Sequence, residues 1–411
     1  MKKPMLSAGQ AIQNMLEQVD AKAGVESVAL ELALDRVLSE AVFSAIDVPG
    51  YDNAAMDGYA LRAAEVSPNA ALTIAGATLA GHAFSTDVPA GACVRITTGA
   101  VLPAELDTVV MQELVSQVAD RNGQPAITCQ LIPDVGEHVR KAGEDISSGQ
   151  LVLDAGHKLR PADIGLLASL GFATVKVKPR LKVAVLSSGD ELIAPGDILP
   201  AGKIYDSNRF VIKAMLQRLD VDIIDLGLVP DDPQLIEQAF ARAVAEADVL
   251  ITSAGVSVGD ADYTRQILNK LGQIDFWQVA IKPGKPFAFG RLAKCWFFGL
   301  PGNPVAAVVT LEQLVQPVLR KLAGELPATT LPTWRAQTMV DLKKQPGRQD
   351  FQRGWFWQEA DGLKVKTLGA QSSGMLSSIA NANCYIVLAA ENAGVQSGDT
   401  VTILPFSALL R

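Results

Sequence analysis

From Leu181 onward the chain alternates short continuous apolar runs with amphipathic stretches of helical period. Val183-Ala184-Val185-Leu186, the segment Asp222 to Leu228, and Val249-Leu250-Ile251 are β-prone runs with little polar alternation. That is the form of strands buried on both faces. Between them, Ile212, Met215, Leu216 and Leu219 make one stripe on a segment that Asp206 or Ser207 can cap. A second stripe, Leu235, Ile236, Ala239, Phe240 and Ala243, follows Asp232 as cap and Pro233 as first helical residue. Alternation of this kind predicts a parallel sheet covered on both faces, with ligands at the carboxyl ends of its strands. A helix from Val305 to Leu322 is expected to close that domain.

The flanks read differently. Residues 7 to 40 carry a helical pattern: Ser7 can cap, Ile12, Met15, Leu16 and Val19 follow at helical spacing, and Leu30 to Leu38 forms a second amphipathic segment. Between Leu72 and about Lys141, the runs 72–75, 93–100 and 108–111 are separated by Gly, Pro, Asp and Asn, predicting a small β-rich domain. Pro161 to Leu170 reads as a helix, and Lys178-Pro179-Arg180 as a domain boundary. Beyond Leu331, runs such as Tyr385-Ile386-Val387-Leu388 and Thr400 to Leu404 predict a small all-β domain. The fold class is multidomain α/β plus β.

Composition narrows the function. The 411 residues are 49% hydrophobic and 19% charged, with a net charge of −8. A general nucleic-acid binder needs a basic face, so that class is excluded. Four cysteines without CxxC spacing and three histidines supply no credible zinc set and no Ser/His/Asp arrangement, and free thiols suit a reducing compartment. The N-terminal MKKPMLSAGQ has no apolar stretch behind its lysines, and no run reaches bilayer-spanning length. A cytoplasmic protein without membrane contact is expected.

The candidate chemistry lies in the loops. Asp248 to Asp262, DVLITSAGVSVGDAD, is an apolar run, a Gly/Ser loop and an acidic pair, with a helix-like segment, Tyr263 to Leu271, behind it. A strand that hands such a loop to a helix N-terminus suits an anion, although an ordinary βα turn has the same outline. Twenty-odd residues on, Lys282-Pro283-Gly284-Lys285-Pro286 adds two cations, and Gly299-Leu300-Pro301-Gly302-Asn303-Pro304 a third turn. Earlier loops hold Asp52 and Asp57, Thr97-Thr98-Gly99, and the charged turn Arg140 to Ile146 with Asp145; each could equally be a capped or solvated turn. Gly347-Arg348, Gln352-Arg353-Gly354 and Gln371-Ser372-Ser373-Gly374 could be plain surface. Asp57, Asp145, Glu191, Asp231 and Asp262 are carboxylates suited to Mg²⁺, which takes hard oxygen ligands together with substrate phosphates. An anion pocket beside carboxylates reads as metal-assisted phosphoryl or nucleotidyl chemistry, without a Walker A sequence, a GxGxxG turn or a kinase set.

The motifs PGYDNAAMDGYA (49–60), TTGA (97–100), AGEDI (142–146), SSGDEL (187–192), SAGVSVGDADYT (253–264), IKPGKPFAFG (281–290) and GLPGNP (299–304) stand in one order along the chain. In these the chain resembles the MoeA family, the molybdopterin molybdenumtransferases, which include the C-terminal domain of gephyrin. The resemblance implies an elongated, homodimeric protomer with a central MogA-like α/β domain and a C-terminal β-barrel-like domain. Its expected divisions are 27–45 with 147–179, 46–146, 7–26 with 180–328, and 329–411. It implies insertion of molybdate into adenylated molybdopterin, with release of AMP and help from Mg²⁺, between the α/β domain of one subunit and the small domain of the other. Asp57 and Asp145 are then expected to reach the partner's site, and Glu191 and Asp262 to act in catalysis, with Glu191, Asp231 and Asp262 on the metal. Thr98, Ser253, Gly255, Ser257, Gly259, Pro301, Gly302, Asn303 and Pro304 would bind substrate. Lys282 and Lys285 would bind molybdate, with Arg348 or Arg353 and Ser372 or Ser373.

Two positions depart from the family pattern: Ala254 stands where two glycines are usual, and Gln278 where some relatives carry lysine. The expected partners are a molybdopterin adenylyltransferase and molybdoenzyme maturation proteins. A non-catalytic carrier or scaffold is the alternative. The intact carboxylates favour catalysis, and the extra β domains and paired lysines argue against an adenylyltransferase.

Overall fold

The computed structural model describes residues 5–68, 70–253, 267–268, 270–326, 331–407 and 409–410. Its contacts divide the chain into two compact units: Met1–Glu40 with Ala155–Ile164 and Thr174–Arg411, and Ala41–Asp154 with Gly165–Ala173.

The larger unit is built on a six-stranded sheet in the order 222–229, 182–188, 249–253, 295–300, 286–292, 272–278. Its first four strands are parallel, as expected, but Pro286–Leu292 runs against them, and Gly272–Gln278 pairs antiparallel to that strand and so returns to their direction. The sheet is therefore mixed. Pro286–Leu292 joins Cys295–Leu300 through the short turn at Ala293, which has φ 50°, where no room exists for a crossover helix. Both faces are covered. Val183, Val185, Val249, Ile251 and Phe298 pack on one side with Ile212, Met215 and Leu216. Ala184, Leu186, Leu250 and Phe297 pack on the other with Ile236, Phe240 and Ala243. Successive residues of one strand serve opposite cores, which explains the unbroken apolar runs. Asp232 caps its helix by accepting from the amides of Gln234 and Leu235. At the next helix over, the side chain of Asp206, rather than Ser207, accepts from an N-terminal amide, that of Arg209 at 3.2 Å.

The N-terminal helix, Ala8–Gln18, starts with a capping box between Ser7 and Gln10. The second helix expected at Leu30 to Leu38 is absent. Glu26–Ala29 is a strand paired with Thr174–Val177, and only a 3₁₀ turn follows at Leu30–Leu32. Gly24 (φ 119°) and Asp35 (φ 64°) are left-handed, and a helix cannot run through either. Near the C-terminus the strands Gln349–Glu359, Gly362–Thr367, Trp334–Thr338, Thr400–Pro405 and Cys384–Leu388 close on themselves as a five-stranded barrel, since the first also pairs with the last. Ile281–Lys282 adds to it in parallel with Gln349–Asp350. Phe351, Tyr385 and Leu404 share a core with the large sheet.

The smaller unit carries a six-stranded mixed sheet in the order 108–111, 58–61, 92–96, 72–78, 125–129, 115–119, with Ala60, Val94, Ile96 and Val109 in its core. Among the described residues, no helix is long and apolar enough to cross a membrane.

Candidate functional site

The strand Lys182–Ser188 ends at Gly189-Asp190-Glu191. Gly189 takes φ +147°, and a Cβ there would lie 2.6 Å from a Glu191 carboxylate oxygen. Glycine lets that carboxylate fold back over the turn. Asp190 and Asp231 cap each other: the Asp231 amide donates to Asp190 Oδ1 at 3.1 Å, and the Asp190 amide to Asp231 Oδ2 at 3.4 Å. Partial desolvation, and then the charges of Asp190 and Glu191, push the Asp231 carboxyl above its usual range. Crowded carboxylates of this kind accommodate a hard divalent cation, whose charge relieves the repulsion. Among the described residues no three metal-ligating side chains are already grouped. Asp262 lies outside the described residues.

Ser253, at the end of the central strand, is buried, and its Oγ accepts from Asn208 Nδ2 at 2.7 Å. The same nitrogen donates to the Gly302 carbonyl at 2.7 Å. Asn208 thus ties two strand ends together. Its orientation is fixed by Gly302, because a carbonyl only accepts, and its Oδ1 is buried without a partner among the described residues. Sequence reasoning passed over Asn208; its place directly after the Asp206-Ser207 cap, at the carboxyl end of the sheet, was the available signal. Ala254, Gly255, Ser257 and Gly259 lie outside the described residues. Gln278 sits in the edge strand, where its carbonyl accepts from the Leu6 amide at 3.0 Å.

Pro301, Gly302, Asn303 and Pro304 lie beside the lysine loop, and together they line one cavity of about 880 Å³. Lys282, Lys285, Arg348, Ser372, Ser373 and Glu191 also line it. Lys285 is exposed and Lys282 half-buried. The Ser373 carbonyl accepts from the Val305 amide at 3.0 Å, joining the serine loop to the helix that starts at Pro304. Of the two arginines considered, only Arg348 reaches the cavity. Arg353 is 1% exposed, inside the barrel wall. Its guanidinium donates to Ser378 Oγ, the Phe351 carbonyl and the Ser372 carbonyl at 3.1, 3.3 and 3.1 Å. Arg353 therefore holds the serine loop from behind and does not present its charge to the cavity. Two residues along the strand from Phe351, it shares that residue's face, which the serine loop and Ser378 cover.

In the smaller unit, the loops of MDGY and TTGA meet. Asp57 Oδ1 accepts from the Thr98 amide and the Thr98 hydroxyl, both at 2.7 Å. These two bonds hold the Asp57 carboxyl below the usual carboxylate range. A Cβ on Gly58 would collide with the Val110 carbonyl, so the residue after Asp57 must be glycine for the strands to close. Asp52 accepts from Lys141 Nζ at 2.8 Å and the Ala142 amide at 2.9 Å, and is a structural tie. Asp145, exposed, lines a separate cavity of about 480 Å³ with Asn53, Arg140 and Glu144. The structure thus gathers one set of predicted residues around Lys282 and another pair, Asp57 and Thr98, in the smaller unit.

A MogA-type sheet extended by a closed barrel and joined to a small β-rich unit, with a cationic cavity at the strand ends, defines a molybdopterin-binding class of protein. Residues 6–171 match the MoeA N-terminal region (domain I and II), residues 184–321 a probable molybdopterin binding domain, and residues 335–406 the MoeA C-terminal region (domain IV). The chain is 46% identical over 407 residues to the molybdopterin molybdenumtransferase of Haemophilus influenzae, covering 99% of this chain and 100% of that one. It is 30% identical to gephyrin of Dictyostelium discoideum, covering 97% of this chain and 62% of that protein. The crystal structure of a molybdopterin biosynthesis MoeA protein from Pyrococcus horikoshii superimposes with a TM-score of 0.84 at 26% identity, covering 98% of this chain and 100% of that one. The chain belongs to the molybdopterin molybdenumtransferase (MoeA) family.

Proposed function

We propose that the chain inserts molybdate into the dithiolene of adenylated molybdopterin and releases AMP, as an enzyme of molybdenum cofactor biosynthesis. The observation that carries this reading is the single cavity in which Lys282, Lys285 and Arg348 face the hydroxyl-bearing Ser372 and Ser373, with Glu191 on the same wall. A tetrahedral dianion needs several converging donors, and ammonium, guanidinium and hydroxyl groups supply them. Lys282 and Lys285 hold molybdate; Arg348 and the two serines complete its shell. The Pro301–Pro304 loop, Ser253 and the amides from Gly255 to Gly259 hold the pterin and its phosphates. Asp57, steadied by Thr98, and Asp145 act on the same substrate in a homodimer.

Glu191, Asp231 and Asp262 are the residues that would hold Mg²⁺, which when bound would neutralise charge at the phosphates. The raised proton affinity of Asp231 supports this placement. A cytoplasmic location, a molybdopterin adenylyltransferase upstream and molybdoenzyme maturation proteins downstream fit the reading.

The test is AMP release from adenylated molybdopterin by the purified protein with Mg²⁺, with and without molybdate. Molybdate-dependent release, with reconstitution of a molybdoenzyme, is expected. Tight binding of the adenylate without turnover would identify a carrier instead.

A further inference from the structure

The geometry points to Asp350 as the internal counter-ion that positions Lys282 and sets how strongly the cavity holds an oxyanion. This rests on the proposed use of that cavity for molybdate. Lys282 and Asp350 are register partners in the short parallel pairing that joins the lysine loop to the barrel. Lys282 Nζ lies 3.2 Å from Asp350 Oδ2, and the two side chains differ sharply in exposure, 44% for the lysine and 3% for the aspartate. Gln352 Nε2 donates to the same carboxylate oxygen at 3.2 Å and to the Lys343 carbonyl at 3.0 Å, which fixes the carboxylate from the far side. A buried carboxylate is tolerated only with a compensating cation. Among the described residues, Lys282 is the one cation within ion-pair distance of it.

An ammonium carries three donors. The one engaged by Asp350 anchors the chain end, and the others remain for a ligand in the cavity. The same carboxylate opposes an incoming dianion, so Asp350 and the oxyanion compete for a single ammonium. Asp350 is a positioning residue: it acts on the ligand through Lys282, its ion-pair partner. Removing its charge while keeping its size and an acceptor oxygen relaxes the competition and leaves the anchor.

The experiment uses the purified full chain as four proteins: wild type, Asp350→Asn, Lys282→Met and the double variant. Molybdate binding is read by calorimetry and thermal midpoints by melting. Asp350→Asn is expected to bind molybdate about tenfold more tightly, a difference of ~1.4 kcal/mol. In the Lys282→Met background the same change should leave affinity nearly unmoved. Lys282→Met alone should lower the melting midpoint, because it strands a buried carboxylate, and adding Asp350→Asn should recover most of that loss. A carboxylate with only a packing role would give the same midpoint change in both backgrounds and no gain in affinity. That result, or weaker molybdate binding by Asp350→Asn, overturns the inference. The melting cycle reads the Lys282–Asp350 coupling without any anion. Failure of wild type to bind molybdate would therefore count against the proposed function, while the coupling would still be decided.

Discussion

The two polar centres of this molecule are opposite in design. Around Lys282, cations exceed anions in the cavity wall, and the ammonium groups of Lys282 and Lys285 keep donors available for a ligand. In the smaller unit, the carboxylates are already answered from within: Asp57 by the amide and hydroxyl of Thr98, and Asp52 by Lys141 and the Ala142 amide. The first arrangement is prepared to receive negative charge. The second keeps negative charge in place, ionised and oriented. A reaction that binds an oxyanion and cleaves a phosphoanhydride needs both.

The comparison breaks most visibly at Asp57. Asp57→Ala is expected to lower AMP release by at least about 100-fold, the usual scale for losing a positioned charged group that acts in the transition state. Its melting midpoint should stay close to wild type, because the carboxylate is exposed and its partners can turn to water. Turnover within a few-fold of normal would remove Asp57 from the reaction. On the other side, Lys282→Ala should raise the molybdate concentration needed for half-maximal release by roughly 10- to 100-fold, as expected for a charge-assisted bond of about 1.5–3 kcal/mol. The saturating rate should fall less. An unchanged requirement would move molybdate elsewhere in the cavity.

The same contrast separates what the sequence made legible from what it hid. The strands of the large sheet were legible because residues buried on both faces leave unbroken apolar runs, and the loops because Gly, Pro and paired charges punctuate them. The reversed strand was hidden, since Pro286–Leu292 is as apolar as the parallel strands and only the tight turn at Ala293 separates its connection to Cys295–Leu300 from a crossover. Residues 30–38 misled because their apolar spacing fits a helix, while Asp35 takes a left-handed conformation that periodicity does not register. At the site, the type of residue was readable and its direction was not. Arg348 and Arg353 read as two similar basic turns, yet Arg348, just before the strand, faces the cavity and Arg353, paired within it, is sealed in the barrel wall. Asp350 escaped notice because nothing in its local sequence marks it, and Asn208 because only its place after the Asp206-Ser207 cap does; their roles arise from partners 68 and 45 residues away.

Thr98 offers a subtler way to sharpen the contrast. Its hydroxyl supplies one of the two bonds that depress the Asp57 titration. A carboxyl whose folded pKa is depressed contributes stability above its unfolded value, near 3.9, and loses that contribution as pH falls through the lower folded value. Thr98→Val keeps the amide bond and removes the hydroxyl, so the Asp57 titration should move up toward 3.9. In an NMR titration of the carboxyl carbon this appears as an upward shift, with AMP release at neutral pH falling only severalfold. A titration that stays where it was would mean that the amide alone sets the charge.

The smallest effect is expected at Asp231, where the sign reverses. Here the folded pKa is raised, so the ionised carboxylate is disfavoured by the fold. The penalty is fully present above the folded pKa and is relieved as pH drops through it toward the unfolded value. Asp231→Asn should therefore raise the melting midpoint at neutral pH, by roughly 1 °C for a group this accessible to solvent, and the gain should vanish below the carboxylate range. The same variant should need severalfold more Mg²⁺ for half-maximal AMP release, since the crowding that destabilises the free site is what the cation relieves. A lower midpoint at neutral pH would show that the bond between the Asp190 amide and Asp231 outweighs the repulsion. An unchanged Mg²⁺ requirement would place the metal on other carboxylates. Stability and metal dependence moving in opposite directions is the signature that separates a ligand-binding carboxylate from a turn cap.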